Sequence, residues 1–322
     1  MTRYSGRAYC VTPGEVSLAR CRPRPAWRMV TEAERSDRAE PAAKPGSISA
    51  IVLTLDEELH ISRCLDSLRW CPDVVVVDSF SNDGTVRIAQ DAGVRVVQHR
   101  FQGFGAQRNW ALDHVPGLGE WVLFLDADER VTPPLAREIC RLVQGAPAGV
   151  SAYRVRRRFH IWGQWLPKSS QYPTWLVRLI RRGHARYENR GHGETQMVDG
   201  QVGELEHDLV DENLRGIEAW FARQNRYSSE EARLEEALAV EDRAAADLAA
   251  IVFKRDPLER RAAAKRLFAR LPGRGAWYFA YSYLLRGGFL EGRDGLALCL
   301  MRSIYQEMIA IKRHDLRRRR GG

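Results

Sequence analysis

Two carboxylates stand two residues apart at Asp126 and Asp128, in Leu125-Asp126-Ala127-Asp128-Glu129, directly after the apolar run of residues 121–125. An acidic pair at a strand end suits a hard cation. Mg²⁺ or Mn²⁺ takes oxygen ligands and completes its octahedron with water and substrate phosphates, so one or two protein carboxylates suffice. Such an ion acts as a Lewis acid, drawing off the charge that develops on a departing diphosphate. On spacing alone, Asp-x-Asp equally describes a solvated acidic turn, so the surrounding elements decide between the two.

Those elements read as an α/β domain. The texture of a buried parallel strand begins at Ser47, in Ile48-Ser49-Ala50-Ile51-Val52-Leu53. Residues 57–68 place Leu59, Ile61, Leu65 and Leu68 on one helical face, and Val74-Val75-Val76-Val77 is a second strand ending at Asp78. Helix at 85–92, strand at 94–98, helix at 107–113 and strand at 121–125 come next. Strands alternating with helices at this spacing predict a mostly parallel sheet with right-handed crossovers. Ligands of such sheets bind beyond the carboxyl ends of the strands, where Thr54, Asp78 and Asp126 fall.

Past Pro133 the pattern predicts a helix at 134–143, a strand at 151–157, then an aromatic, glycine-rich stretch to about residue 203 that reads as loops, and loops of this kind often carry function. Between Ser151 and Gly193 ten basic residues face the single acid Glu188, interleaved with Trp162, Trp165, Tyr172 and Trp175. Aromatic faces stack on sugar rings and arginines bind anions, so an acidic or phosphorylated acceptor fits; core aromatics beside solvated charges give the same pattern. Residues 214–251 have helical composition and spacing. Residues 275–285, 296–311 and Arg317-Arg318-Arg319-Arg320 combine aromatics, apolar faces and positive charge, which reads either as an interfacial membrane anchor or as helices packed on the catalytic domain.

Length and composition bound the rest. The 322 residues are 44% hydrophobic, enough to bury a core, and the six cysteines form neither a Cys-x-x-Cys pair nor a zinc cluster, as reduced cytosolic thiols do. The start lacks a signal-peptide apolar region and no stretch is long enough to span a bilayer, which predicts a cytoplasmic protein. The formal charge of +9 sits at the ends: residues 1–46 hold nine basic against five acidic groups, residues 312–322 six against one, and the remaining 35 of each cancel. Basic ends on a neutral body argue against nucleic acid and for solvent or an anionic membrane surface. Residues 1–46, rich in proline and without periodicity, are expected to be a disordered extension, followed by a catalytic domain over 47–213, a helical region over 214–311 and a basic tail over 312–322.

The order of motifs carries a resemblance. Ile51-Val52-Leu53-Thr54-Leu55-Asp56-Glu57-Glu58, Val77-Asp78-Ser79-Phe80-Ser81-Asn82-Asp83-Gly84-Thr85, Gly103-Phe104-Gly105-Ala106-Gln107-Arg108-Asn109 and Phe124-Leu125-Asp126-Ala127-Asp128-Glu129 resemble the family 2 glycosyltransferases with the GT-A fold. Within them the chain looks most like the bacterial branch that adds glucose or a related hexose to lipopolysaccharide core or other surface polysaccharide. The likeness extends through Trp162-Gly163-Gln164-Trp165-Leu166, Arg190-Gly191-His192-Gly193-Glu194 and Arg223-Gln224-Asn225-Arg226-Tyr227-Ser228.

The resemblance implies inverting transfer from a UDP-sugar or similar nucleotide-sugar, with a divalent metal at Asp126 and Asp128. By it, Thr54 and Glu57 line the nucleotide pocket, Asp78 accepts from base or ribose, and Arg108 meets phosphate or sugar hydroxyls; Asp78 as a turn cap, Glu57 as a helix starter and Arg108 as a solvated charge are the structural alternatives. Inversion needs a general base for the acceptor hydroxyl. The resemblance points to Glu194, with His192 completing the metal shell or touching the diphosphate, although Gly193 separates the two here where the branch has them adjacent. Glu206 and Asp208, beside His207, are fallback bases.

The sequence therefore predicts an α/β GT-A domain with a C-terminal helical extension, transferring a hexose to a lipopolysaccharide core or lipid-linked acceptor, at most peripherally attached to the cytoplasmic face of the inner membrane. A nucleotidyltransferase would carry a glycine-rich basic loop after its first strand, and Leu53-Thr54-Leu55-Asp56-Glu57-Glu58 has neither. An idle sugar-nucleotide-binding module of the same fold is the rival of another class.

Overall fold

The carboxyl ends of the first strands are set level by their register. In β1 (Ile48–Thr54), Thr54 pairs with Asp78 of β2 (Val74–Asp78), and Leu53 pairs with Asp126 of β4 (Trp121–Asp126), all in parallel. β3 (Arg95–Gln98) adds to β2, also in parallel. The structure, a computed structural model, describes residues 47–190, 193–238, 260, 263–264 and 267–321. The N-terminal extension expected to be disordered lies outside the described residues.

Alternation along the strands builds two apolar layers. Ile48, Ala50 and Val52 of β1, with Trp121, Leu123 and Leu125 of β4, face α1 (Ile61–Asp66) and α4 (Pro133–Gly145). Ile51, Val122 and Phe124 face the other way, onto Ala111 and Val115 around α3 (Phe104–His114) and onto Tyr187. α2 (Thr85–Asp91) joins β2 to β3. Both faces of β1, β2 and β4 are thus covered, which is why these strands read as near-continuous apolar runs.

In the second half the strand expected at 151–157 is present, but the stretch from there to about residue 203, read as loops, is largely strand as well. β6 (Val150–Ile161), β8 (Thr174–Arg181) and β11 (Gln201–Glu212) extend the sheet in the order β3-β2-β1-β4-β8-β6-β11-β5, with β5 (Glu129–Val131) at the edge and β7 (Gln164–Trp165) paired to β6. β8 runs antiparallel to both neighbours, while β6 and β11 are parallel. β9 (Ala185–Arg190) and β10 (Gly193–Val198) form a separate antiparallel pair. These strands lack a plain apolar alternation because buried acids take the place of apolar residues and pair across the sheet: Asp211 with Arg157 at 3.0 Å, and Asp208 with Arg158 at 2.6 Å.

Helices close the chain. α5 (Gly216–Leu238) packs on the long α7 (Gly292–Gly321), and α6 (Arg274–Phe279), continued as a wider π turn to Leu285 and a 3₁₀ turn at Gly288–Glu291, lies against α7. α7 continues through the residues expected to form a separate basic tail. The expected helical span beyond Leu238 lies outside the described residues. Cys64, Cys71, Cys140 and Cys299 are buried.

Candidate active site

Asp126 ends β4 because the strand's hydrogen bonding stops where β5 turns away, and the turn exposes Asp128 beyond it. Its two oxygens are held from opposite sides: Arg108 donates to Oδ1 at 3.0 Å and Arg178 to Oδ2 at 2.7 Å. Arg178, on β8, also reaches Glu129 Oε1 at 2.6 Å, and Glu129 Oε2 accepts the Asp126 backbone N–H at 3.0 Å. Asp128 Oδ2 accepts from Asn213 Nδ2 at 2.9 Å. Among the described residues, no other side chain donates to Asp128.

Arg108 is buried, not the solvated helix charge that its sequence context allowed. Its ring neighbours are Phe124 and Tyr187, and its second nitrogen donates to Glu194 Oε2 at 2.8 Å. α3 can sit this close to β9 only because its first turn is glycine-rich. A Cβ on Gly103, whose φ is +119°, would lie 2.5 Å from the Asn189 amide. Asn189 in turn accepts the Gly105 N–H at 2.9 Å.

The charges in this cluster settle differently. Burial alone would raise Asp126, but the guanidiniums of Arg178 and Arg108 outweigh it and hold the carboxyl at about 2. Burial lifts Glu129 to about 7, with Asp126 and Asp211 adding to the rise and Arg178 opposing it. Burial likewise lifts Asp211 to about 6 against the pull of Arg157. Glu194 is raised by burial too, Arg108 and Arg178 working the other way.

Around these residues lies a cleft of about 530 Å³, lined by Thr54, Glu57, Gln107, Asp126, Asp128 and Arg226 among others. Glu57 holds the β1–α1 loop: its carboxylate meets Arg215 at 3.0 Å and His60 Nδ1 at 2.6 Å. His60 Nε2 accepts the Leu214 N–H, so Nδ1 carries the ring proton and donates to Glu57. Asp78 lies behind the cleft, fully buried, its oxygens taken up by Thr54, Ser81 and Gln98. That places it as the brace between the β1 and β2 loops.

A second cavity of about 470 Å³ also borders the acidic pair, lined by Asp211, Arg157, Trp220, Tyr278, Arg302 and Tyr305 among others. The two cavities share Asp126, Asp128, Arg223 and Tyr227. Neither Arg223 nor Arg226 has an ion-pair partner among the described residues, so both guanidiniums are free for an anion.

Of the residues singled out in the sequence, Thr54, Glu57, Asp126 and Asp128 line the cleft, and Arg108 ties Asp126 to Glu194. Glu194 lines neither cavity. His192 lies outside the described residues. The fallback acids are elsewhere: Asp208 holds Arg156, Arg158 and the Tyr172 hydroxyl, and the Glu206 backbone is bonded to Glu138. Sequence reasoning missed Arg178, Asp211 and the charge on Glu129. Asp211 sits in Glu204-Leu205-Glu206-His207-Asp208-Leu209-Val210-Asp211-Glu212, where nothing local separates it from its neighbours; only the pairing of β11 with β5 beside Asp128 does.

The acids fit a divalent ion in part. Asp128 faces the junction of both cavities with oxygen capacity left, whereas Asp126 is already neutralised by two guanidiniums, which leaves it as the orienting member. Among the described residues no group of three or more His, Cys, Asp and Glu side chains is arranged to hold a metal, so the remaining ligands would come from water and substrate phosphate.

The parallel β3-β2-β1-β4 half joined to a mixed half is the GT-A arrangement that the motifs implied. Residues 49–200 match the family model for glycosyl transferase family 2. The lipopolysaccharide core biosynthesis glycosyltransferase LpsC of Rhizobium meliloti is 33% identical over 162 residues, which is 48% of this chain and 59% of that protein. An uncharacterized glycosyltransferase of Rickettsia conorii is 38% identical over 93 residues, 29% of this chain and 32% of its own length. The chain thus spans less than two thirds of the length of these curated relatives. Among solved structures, the mannosyltransferase PcManGT of Pyrobaculum calidifontis, in complex with GDP-Man and Mn²⁺, aligns over 86% of this chain and 89% of its own at 18% identity and a TM-score of 0.48. Residues 49–200 of this chain belong to glycosyl transferase family 2.

Proposed function

We propose that the protein is an inverting glycosyltransferase moving a hexose from a nucleotide-sugar, a UDP-sugar foremost, to a hydroxyl of a lipopolysaccharide core or other lipid-linked glycan. One observation carries this reading: two cavities meet at Asp126, Asp128, Arg223 and Tyr227, so a donor on one side and an acceptor on the other would face each other across the acidic pair. The cleft over Thr54 and Glu57 takes the nucleotide, and its free arginines, Arg223 and Arg226, take the diphosphate. The aromatic second cavity takes the acceptor. The relative LpsC, named for lipopolysaccharide core biosynthesis, supports the choice of acceptor class.

A Mg²⁺ or Mn²⁺ ion held by Asp128, with Asp126 behind it, would supply Lewis-acid neutralisation of the departing diphosphate. The rest of the reaction falls to the chain. The acceptor oxygen attacks the anomeric carbon from the face opposite the diphosphate, the bond to the diphosphate oxygen breaks with its electron pair, and the hydroxyl proton passes to a carboxylate. Glu194 was the expected base, but it lines neither cavity and its Oε2 is bound to Arg108. Asp211 lines the acceptor cavity and, among the described residues, has one ion pair, with Arg157. We assign the proton to Asp211 and give Glu194 the positioning of Arg108.

The test is release of nucleoside diphosphate from UDP-, GDP- and dTDP-sugars, with Mn²⁺ or Mg²⁺ and again with EDTA, in wild type and Asp128→Ala. Metal-dependent turnover of one donor, lost in the variant, is the expected result. Absence of both turnover and binding for every donor, even with lipid-extract acceptors, would sink the transferase reading.

A further inference from the structure

Large apolar side chains on the C-terminal helices face outward. Over α6 and the turns after it, Trp277, Tyr281, Leu284, Leu285, Phe289 and Leu290 are all exposed, Leu285 to 81%. On α7, Leu300, Ile304 and Ile311 are also exposed. At 100° per residue these three fall within about 40° of one another, forming one stripe. The opposite side of the same helix, with Arg302, Tyr305, Gln306 and Ile309, lines the acceptor cavity. The stripe is therefore the back of the molecule's catalytic face, where a solvated helix would carry polar groups.

Charge marks the ends of the stripe. Arg293 and Arg318 lie on the same line, both exposed, about 37 Å apart at 1.5 Å per residue, and neither has an ion-pair partner among the described residues. Glu307 is on this line as well, but its carboxylate turns to the Gly275 N–H at 3.0 Å, and Asp315 is paired with Arg319 at 2.9 Å. α6 flanks the stripe, since Arg274 donates to the Gln306 carbonyl and Ser303 to the Gly275 carbonyl. The exposed ammonium-bearing Lys168 lies beside Gly287, at the foot of the α6 patch.

We propose that this face docks on an anionic phospholipid bilayer, with Leu300, Ile304, Ile311 and the apolar residues of α6 entering the acyl boundary and Arg293 and Arg318 at the lipid phosphates. An apolar stripe with arginine at both ends is the pattern of a helix lying in the membrane interface. A second copy fits worse: two-fold pairing of antiparallel stripes would set Arg293 of one copy against Arg318 of the other. Docking on this side leaves the acceptor cavity on the opposite face of α7, open toward a glycan whose lipid end is in the same bilayer. The inference deepens the transferase reading by naming where its acceptor is met, but its test needs no catalysis.

The full chain is mixed with vesicles of phosphatidylglycerol and phosphatidylethanolamine, or of phosphatidylcholine alone, and co-sedimentation is measured at low and high salt. Wild type should bind the anionic vesicles at least about 10-fold more tightly than the neutral ones, and salt should weaken it. A Leu300→Ser, Ile304→Ser, Ile311→Ser variant should lose about 10-fold or more while keeping its thermal unfolding. Wild type that stays in the supernatant, or a triple variant that binds as well as wild type, overturns the proposal. So does a wild-type dimer in light scattering that the triple variant dissociates, which would assign the face to a second copy. Donor turnover reports on the transferase reading separately.

Discussion

Arg108 Nη1 and Glu194 Oε2 meet at 2.8 Å although 86 positions separate them in the sequence. The same guanidinium reaches Asp126, so a helix on one face of the sheet, a hairpin and the end of β4 are tied through one buried side chain. Removing that charge leaves Glu194 without its ion-pair partner among the described residues, with Arg178 acting on it only at longer range. Arg108→Leu should cost about 3–5 kcal/mol, the scale of breaking a buried pair from one side. Arg108→Lys should cost less, because a point charge satisfies only one of the two carboxylates. Urea unfolding of both variants checks the order; equal stability of Arg108→Leu and wild type would refute it.

Among the described residues, Asn213 alone donates a side-chain hydrogen bond to Asp128, which stands where both cavities open. Asp128→Asn should lower donor turnover by about 100-fold or more, the scale of losing one group that stabilises departing charge. Its stability should be unchanged, since no buried partner is orphaned. Steady-state nucleotide release beside a thermal melt separates the two effects. A variant that loses stability in step with activity would show a structural role instead.

The parallel half was legible because β1, β2 and β4 are buried apolar runs, and each strand ended within a residue or two of where the pattern put it. The site was legible at Asp126 and Asp128 for the same reason: a strand end exposes the residues just beyond it. Arg178 and Asp211 were not. Both belong to charged strands whose inward positions are satisfied by partners far off in sequence, Arg178 by Asp126 and Glu129, and Asp211 by Arg157. Periodicity marks burial by apolarity, so a strand that buries paired charges reads as a loop. For α7 the sequence left two readings open, an interfacial anchor or a packed helix, since apolar spacing cannot tell a face covered by protein from one left bare.

Asp211 as the base sets the acid limb of the rate. A base works deprotonated, and burial lifts this carboxyl to about 6. Transfer should therefore fall as pH drops through about 6, and be flat above it until another group titrates. Asp211→Asn should lose transfer while retaining donor binding, whereas Glu194→Gln should keep the limb in place. If Glu194→Gln abolishes the limb and Asp211→Asn preserves it, the base assignment reverses.

Glu129 bears on stability with its own sign. Its folded carboxyl titrates at about 7 against an ordinary value of 4.5, so the fold favours the protonated form. That contribution is fully present below about 4.5 and is lost as pH rises through about 7. Glu129→Gln keeps a neutral group of the same shape and has no such dependence, so relative to wild type it should gain stability between pH 5 and pH 8, a range set about the folded value. Chemical denaturation at the two pH values measures the difference. A gap that stays constant would mean that Arg178 keeps Glu129 ionised throughout.

Trp162 is presented by a tight turn between β6 and β7, with φ of +52° at Trp162 and +76° at Gly163. Its ring is half exposed and borders a third pocket of about 330 Å³, which shares Phe159, Trp220 and Arg223 with the acceptor cavity. A strained turn that holds an exposed aromatic beside a binding cavity is suited to stacking on a sugar. Trp162→Ala should raise KM for a glycan acceptor by about 10-fold, matching one lost aromatic contact of about 1.4 kcal/mol. Donor turnover without acceptor should not change, because the donor cleft does not include Trp162. An unchanged acceptor KM would remove this pocket from the acceptor's path and confine recognition to the cavity at Asp211.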